Sequence, residues 1–201
     1  QINTKAGLTF PAGLRSILRQ DPDVIMVGEI RDGETAELVV RAALTGHLFF
    51  STLHTNSSAG TIARMVNMGV ENYLLSSSLV GVVSQRLIRR LCKNCSQPYI
   101  LDEETAVQLG IPEYIGQEFF EPVGCNMCRQ SGYSGRMALH EVMEVGAETR
   151  SAINHNVQSE DELEAIAVGE GMITMAMDGV QKAFRGLTSL QEVMKGVYLG
   201  G

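Results

Sequence analysis

Apolar residues are distributed differently in the two ends of this chain. They form short unbroken runs near the start and helical periods near the end. Within LRQDPDVIMVGEIRD (Leu18–Asp32), Val24 to Val27 are apolar without alternation, bounded by Pro22 and Gly28. Such a run predicts a strand covered on both faces, as in the parallel sheets of α/β folds. Asp32 is placed to cap a helix that starts near Gly33, carries Thr35 to Leu44 and stops at Gly46. LFFSTL (Leu48–Leu53) predicts a second short strand. Asn56 or Ser57 then caps a helix with Ile62, Met65 and Val66 on one face, ending at Gly69. Strand, helix, strand, helix is most economically a parallel sheet with crossover helices.

The last third reads differently. GRMALHEVMEV (Gly135–Val145) predicts a strand returning to the core, with His140 in a structural role. Segments near Glu148–His155, Ser159–Val168, Thr174–Phe184 and Ser189–Tyr198 predict helices, and Ser159 with Glu162 matches a capping box. Met172, Met175 and Met177 read as core filling rather than as a contact face.

Composition narrows the function. A hydrophobic content of 44% over 201 residues gives enough material for a core domain with an appendage. A net charge of −7 argues against nucleic acid as the main partner. No apolar run is long enough to span a bilayer and no signal peptide is visible, so any contact with a membrane is expected to go through a partner or a segment outside this chain. The chain begins with Gln1 rather than Met, which raises the expectation of a fragment.

Candidate chemistry gathers at one sheet edge. Glu29 follows the first strand, at the carboxyl end where ligands bind in open parallel sheets. In P-loop NTPases an acid there holds Mg²⁺ or its water shell; the competing reading is a solvated loop carboxylate. His54 falls at the same edge after the second strand. His47 precedes that strand and is the weaker candidate.

All four cysteines fall in two pairs, Cys92 and Cys95 in CKNC, Cys125 and Cys128 in CNMC. Two such knuckles bring four thiolates within reach of one Zn²⁺, with no ligand position left open, so the ion would be structural. The intervening residues 96–124 exceed the common spacing. Two disulfides, a redox pair or an iron site are the rival readings. The basic run Arg86, Arg89, Arg90 and Lys93 beside the first knuckle could belong to a nucleic-acid-binding ribbon. A solvated or subunit-facing strip fits better, given Asp102, Glu103, Glu104, Glu113, Glu118 and Glu121 in the insert.

LRQDPDVIMVGEIRD resembles the signature of the type II secretion and type IV pilus assembly ATPases (GspE/PilB-like members of the secretion ATPase superfamily), with Pro22, Asp23, Gly28, Glu29, Arg31 and Asp32 in place. LTGHLFFSTLHTN is similar to that family's histidine box, and VVSQRLIRRLCKNC to the stretch leading into its metal-binding insert. The resemblance runs from about Leu8 to the C-terminus. It implies a RecA-like P-loop NTPase core over residues 1–91, a tetracysteine zinc insert over 92–134, and a return strand with a helical subdomain over 135–201. It further implies ATP with Mg²⁺ as cofactor, Glu29 as Walker B acid, and a histidine box at the terminal phosphate, with His54 the first candidate in it and His47 the second. Arg31 and Asp32 complete the signature, and Gln85 and Arg86 would report nucleotide state. The implied partners are five further copies in a homohexamer, an inner-membrane platform protein and cytoplasmic assembly proteins. The tetracysteine insert is common in secretion and assembly motors and generally missing from retraction motors, so an extension or secretion motor is implied.

One departure matters. No G-x-x-x-x-G-K-[ST] occurs, and none of the lysines (Lys5, Lys93, Lys182, Lys195) follows a glycine. The loop that cradles the β- and γ-phosphates is therefore missing. The expectation is the C-terminal portion of a longer motor, inactive alone. The alternatives are a conjugation or DNA-uptake motor of the same superfamily, or a zinc-ribbon interaction or nucleic-acid module without catalysis.

Overall fold

In the computed structural model, which describes residues 9–157 and 159–198, the first apolar run is a strand with the expected bounds. The order of elements is α1 (Phe10–Leu18), β1 (Val24–Val27), α2 (Gly33–Leu44), β2 (Leu48–Ser51), α3 (Ser58–Asn67), α4 (Asn72–Ser78) and β3 (Gly81–Leu91). There follow β4 (Ser96–Ile100), α5 (Glu103–Gln108), β5 (Glu118–Pro122) and β6 (Tyr133–Glu144). Four helices end the described chain: α6 (Ala147–Asn154), α7 (Glu160–Gly169), α8 (Met175–Phe184) and α9 (Leu190–Tyr198). Two compact units share these elements. One takes the chain up to Val82 together with Val142–Met172, the other Val83–Glu141 together with the chain from Ile173 onward.

In the first unit β1 and β2 run parallel, Val24 beside Leu48 and Val27 beside Ser51. Parallel neighbours need a crossover, and α2 supplies it. Its start is fixed locally: the Asp32 carboxylate accepts from the Thr35 N–H at 2.8 Å and from the Thr35 hydroxyl at 3.0 Å. Its end is fixed by Gly46, whose φ of 104° suits a residue without Cβ. Ser57 caps α3 in the same way, accepting from the Gly60 N–H at 2.9 Å. The core joins Ile25 and Val27 of β1 to Val39, Val40, Ile62, Met65 and Leu75, and on the returning segment to Met143, Ile153 and Leu163.

The strand expected to be covered on both faces is covered on one. Ile25 and Val27 are buried, but Val24 is 56% and Met26 78% exposed, and their register neighbours Leu48 and Phe50 are exposed beside them. An apolar run specifies a strand's tolerance for burial on both sides; which side is covered depends on the elements packed on it. No helix among the described residues is long and apolar enough to cross a membrane.

The second unit is organised around Phe119 of β5, which is fully buried. Tyr99, Tyr114 and Phe184 surround it at ring distances of 6.4, 5.7 and 5.7 Å. β4 and β5 pair antiparallel, Ser96 beside Pro122 and Ile100 beside Glu118. Met175 is buried in this core and Met177 packs against it, while Met172 is buried in the other core, so the methionines do fill cores.

A charged contact ties α9 to β3. Glu192, 7% exposed, accepts from Arg89 through both carboxylate oxygens, at 2.9 Å from Nε and 2.5 Å from a terminal nitrogen, and also from the Arg89 backbone N–H at 3.1 Å. The guanidinium lies 4.0 Å over the Tyr133 ring, a favourable cation–π placement. The Tyr133 hydroxyl is 2.8 Å from that of Ser189. Arg89 holds the Glu192 carboxyl below the ordinary glutamate range, with burial opposing the shift. A depressed folded-state pKa means that the stabilisation is complete above the unfolded value, about 4.3, and is lost as pH falls through the folded one. Glu192→Gln is therefore expected to destabilise the chain by about 2 kcal/mol at pH 7. In urea titrations the gap between native and variant should close below about pH 4.

Candidate functional site

Because β1 and β2 are parallel, their carboxyl ends share one edge, and the residues that follow them meet there. Beyond Val27 the pairing continues through Thr52, whose hydroxyl donates to the Gly28 carbonyl at 2.7 Å and whose carbonyl accepts from the Ile30 N–H at 3.1 Å. Glu29 sits between those two anchored residues. Two residues past Thr52, the His54 Nε2 lies 3.3 Å from the Glu29 Oε2. The Arg31 guanidinium lies 2.5 Å from Oε1.

The electrostatics follow from these contacts. Arg31 holds the Glu29 carboxyl below its ordinary value, with burial opposing and His54 assisting. Glu29 is thus an ionised carboxylate at neutral pH. Its side chain is 31% exposed, yet Oε2 is shielded and makes no hydrogen bond among the described residues. A shielded carboxylate oxygen whose nearest nitrogen is an imidazole 3.3 Å away keeps acceptor capacity suited to a cation or an ordered water. Beside it is a cleft of about 230 Å³ lined by Ile30, Arg31, Leu53, His54, Arg64 and Met68. Two guanidiniums and an imidazole line a cleft that has no carboxylate in its lining, although the whole chain is acidic. The chemistry suits an oxyanion such as a phosphate.

The structure thus brings Glu29, Arg31 and His54 together, and each of the other candidates has its own setting. Asp32 caps α2. Gly28 contributes its carbonyl to Thr52, and a Cβ built on it would meet nothing within 4 Å. His47 lies before β2, at the opposite strand end. Its Nδ1 is 3.2 Å from the Ala42 carbonyl and 3.2 Å from the Thr45 hydroxyl, and its Nε2 is buried without a partner among the described residues. Gln85 and Arg86 belong to β3 in the second unit, where Gln85 is exposed and Arg86 donates to the Gly196 carbonyl at 3.1 Å. Thr52 lies inside the histidine-box stretch without being marked by it, and Arg64 lies in no motif. Neither residue type has a telling spacing, and only the fold puts them beside Glu29.

The cysteines converge in the second unit. All four sulfurs lie within 4.8 Å of one another, with Cys92 to Cys125 at 3.9 Å and Cys95 to Cys128 at 3.8 Å. A disulfide requires about 2.05 Å. Sulfurs about 2.3 Å from a tetrahedral Zn²⁺ stand about 3.8 Å apart, so the donor set and its spacing fit that ion. Local structure builds the cage: the Cys92 N–H donates to the Gly132 carbonyl at 2.9 Å, and Gly124 and Gly132 turn at φ 112° and 75°. Burial pushes the Cys95 thiol up to about 12. Burial acts the same way on Cys128, but the N–H groups of Cys125 and Gly132, both 3.2 Å from its sulfur, together with the neighbouring Cys125 and Cys95 thiols, bring that thiol down to about 6. Of the neighbouring basic run, Arg89 and Arg86 are engaged within the unit, which weakens the reading of a free nucleic-acid strip.

Comparison with known proteins places this geometry in context. A family model described as type II/IV secretion system protein matches residues 1–195. The type II secretion system protein E of Dickeya dadantii is 49% identical over 196 residues, which are 97% of this chain and 38% of that protein. The type IV pilus assembly ATPase PilB of Thermus thermophilus is 48% identical over 196 residues, 96% of this chain and 22% of that protein. Among solved structures, the pilus retraction motor PilT with bound ADP superposes with a TM-score of 0.64 at 30% identity, over 93% of this chain and 43% of that one. The Legionella pneumophila ATPase DotB has the same fold, with a TM-score of 0.64 at 22% identity over 96% of this chain and 43% of that one. The chain spans less than two-fifths of the length of the secretion protein E that it matches.

Proposed function

The chain belongs to the type II/IV secretion system protein family, and from that premise we propose that it is part of a longer motor that hydrolyses ATP to ADP and phosphate to drive type II protein secretion or type IV pilus assembly. The observation that carries the proposal is Glu29, an ionised carboxylate at the carboxyl end of β1 whose shielded Oε2 faces the His54 Nε2 at 3.3 Å. In this reading β1 and β2 belong to a RecA-like core, and the loop that cradles the phosphates lies in the rest of the protein. Glu29 would hold Mg²⁺ through its water shell and orient the attacking water, and His54 would contact the terminal phosphate. The metal, when bound, neutralises charge on the phosphates. Arg31, three-quarters exposed, steadies the Glu29 carboxylate from the solvent side.

The four cysteines would hold a structural Zn²⁺, since four protein ligands leave no position for substrate. That insert favours a secretion or assembly motor over a retraction motor. The motor would work as a hexameric ring, nucleotide sites lying near subunit boundaries, and would push on an inner-membrane platform protein from the cytoplasmic side. A nucleic-acid module without catalysis is not favoured, given the relatives' names and the internal partners of Arg86 and Arg89.

The deciding experiment is Mg²⁺-dependent ATP hydrolysis by the complete natural protein, native against Glu29→Gln. Turnover should fall by about 10²-fold or more with nucleotide binding retained; native turnover in the variant sinks this assignment of Glu29. The 201-residue chain alone should neither bind ATP tightly nor hydrolyse it, and Mg²⁺-dependent hydrolysis by the purified chain would contradict that. Elemental analysis of the purified chain should find one zinc per chain. Cys125→Ser should lose the metal and destabilise the fold by on the order of 3 kcal/mol, the scale of a cross-link closing a loop of that length.

A further inference from the structure

One residue holds Glu29 from both sides. The Thr52 hydroxyl fixes the carbonyl of Gly28 and the Thr52 carbonyl fixes the N–H of Ile30, the two chain neighbours of Glu29. Ile30 is further anchored by its side chain, 6% exposed in the core. Gly28 has no such anchor, having no side chain and nothing packed where one would be. Its restraint is the 2.7 Å bond from Thr52. The segment that makes this bond also carries His54, so the clamp sets the 3.3 Å spacing between imidazole and carboxylate.

We propose that Thr52 is a positioning residue for ATP hydrolysis, its hydroxyl locking the backbone around Glu29 so that the carboxylate stays against His54 at the mouth of the cleft. The proposal rests on the ATPase reading above. Thr52 is exposed, and water can replace the bond of an exposed hydroxyl at little cost to stability. What water cannot replace is the fixed direction. A displacement of about 1 Å in a reacting group costs about 10²-fold in rate.

The test compares native, Thr52→Val, Thr52→Ser and Glu29→Gln in the complete natural protein. Turnover is measured across ATP concentration and melting temperature alongside. Nuclear Overhauser cross-peaks between the Glu29 and His54 side chains are recorded in the 201-residue chain. Valine keeps the shape and removes the donor; serine keeps the donor. Thr52→Val should lower kcat about 10²-fold with KM within about twofold, leave the melting temperature unchanged and abolish the cross-peaks. Thr52→Ser should stay within about threefold of native and retain the cross-peaks. Native turnover in Thr52→Val beside a dead Glu29→Gln overturns the proposal, as does a Thr52→Ser as impaired as Thr52→Val. If Glu29→Gln itself turns over normally, the ATPase reading of Glu29 has failed. The Overhauser signals then decide Thr52: cross-peaks that persist in Thr52→Val overturn its positioning role, and their disappearance supports it.

Discussion

The parallel pairing of two four-residue strands is the constraint on which the candidate site depends. Parallel strands place both carboxyl ends at one edge, and only that arrangement lets Glu29, following β1, meet His54, following β2, at 3.3 Å. An antiparallel pair would separate them by the length of the strands. His47 shows the same rule from the other side: one residue before β2, it is held at the amino edge by Ala42 and Thr45. The pairing in turn requires the crossover helix α2. Asp32, three residues after Glu29, starts that helix, so strand end, site and helix cap occupy one short segment.

The second unit meets a different problem. Residues 96–124 form a long excursion between the cysteine pairs, and a loop of that length carries a considerable closure entropy. Two devices offset it. Phe119 with its aromatic neighbours gives the excursion a core of its own, and the sulfurs gather its two ends within 4.8 Å. Arg89, stacked on Tyr133 next to Gly132, then connects the cage through Glu192 to α9. The contact is more than a surface ion pair because the carboxylate is buried and three donors converge on it.

Legibility from sequence followed the range of the interaction. β1, the Asp32 cap, the Ser57 cap and the four C-terminal helices were readable because strand bounds and caps depend on side chains within a few residues. The gathering of the four cysteines was readable because their paired spacing is written in the chain. The open face of β1 was not, since cover is supplied by distant elements. Nor was the use of Arg89: its carboxylate is 103 residues away, and from sequence the arginine belongs to a basic strip. Thr52 was invisible for a related reason. A threonine at a strand end is ordinary until the partner strand shows which carbonyl its hydroxyl reaches.

The energetics of the Glu29 cluster argue that stability did not select it. Its guanidinium partner is 75% exposed and its imidazole partner 90%, and ion pairs so exposed contribute little after solvent screening. Against that small gain stands the desolvation of a shielded oxygen whose nearest nitrogen is a largely exposed imidazole 3.3 Å away, which costs free energy in a folded chain. Local rules of this kind are broken in proteins where chemistry requires it, and the compensation is found in the surrounding fold. Here it lies in Ile30 and Val27, buried on either side of the acid, and in the Thr52 bond to the Gly28 carbonyl between them.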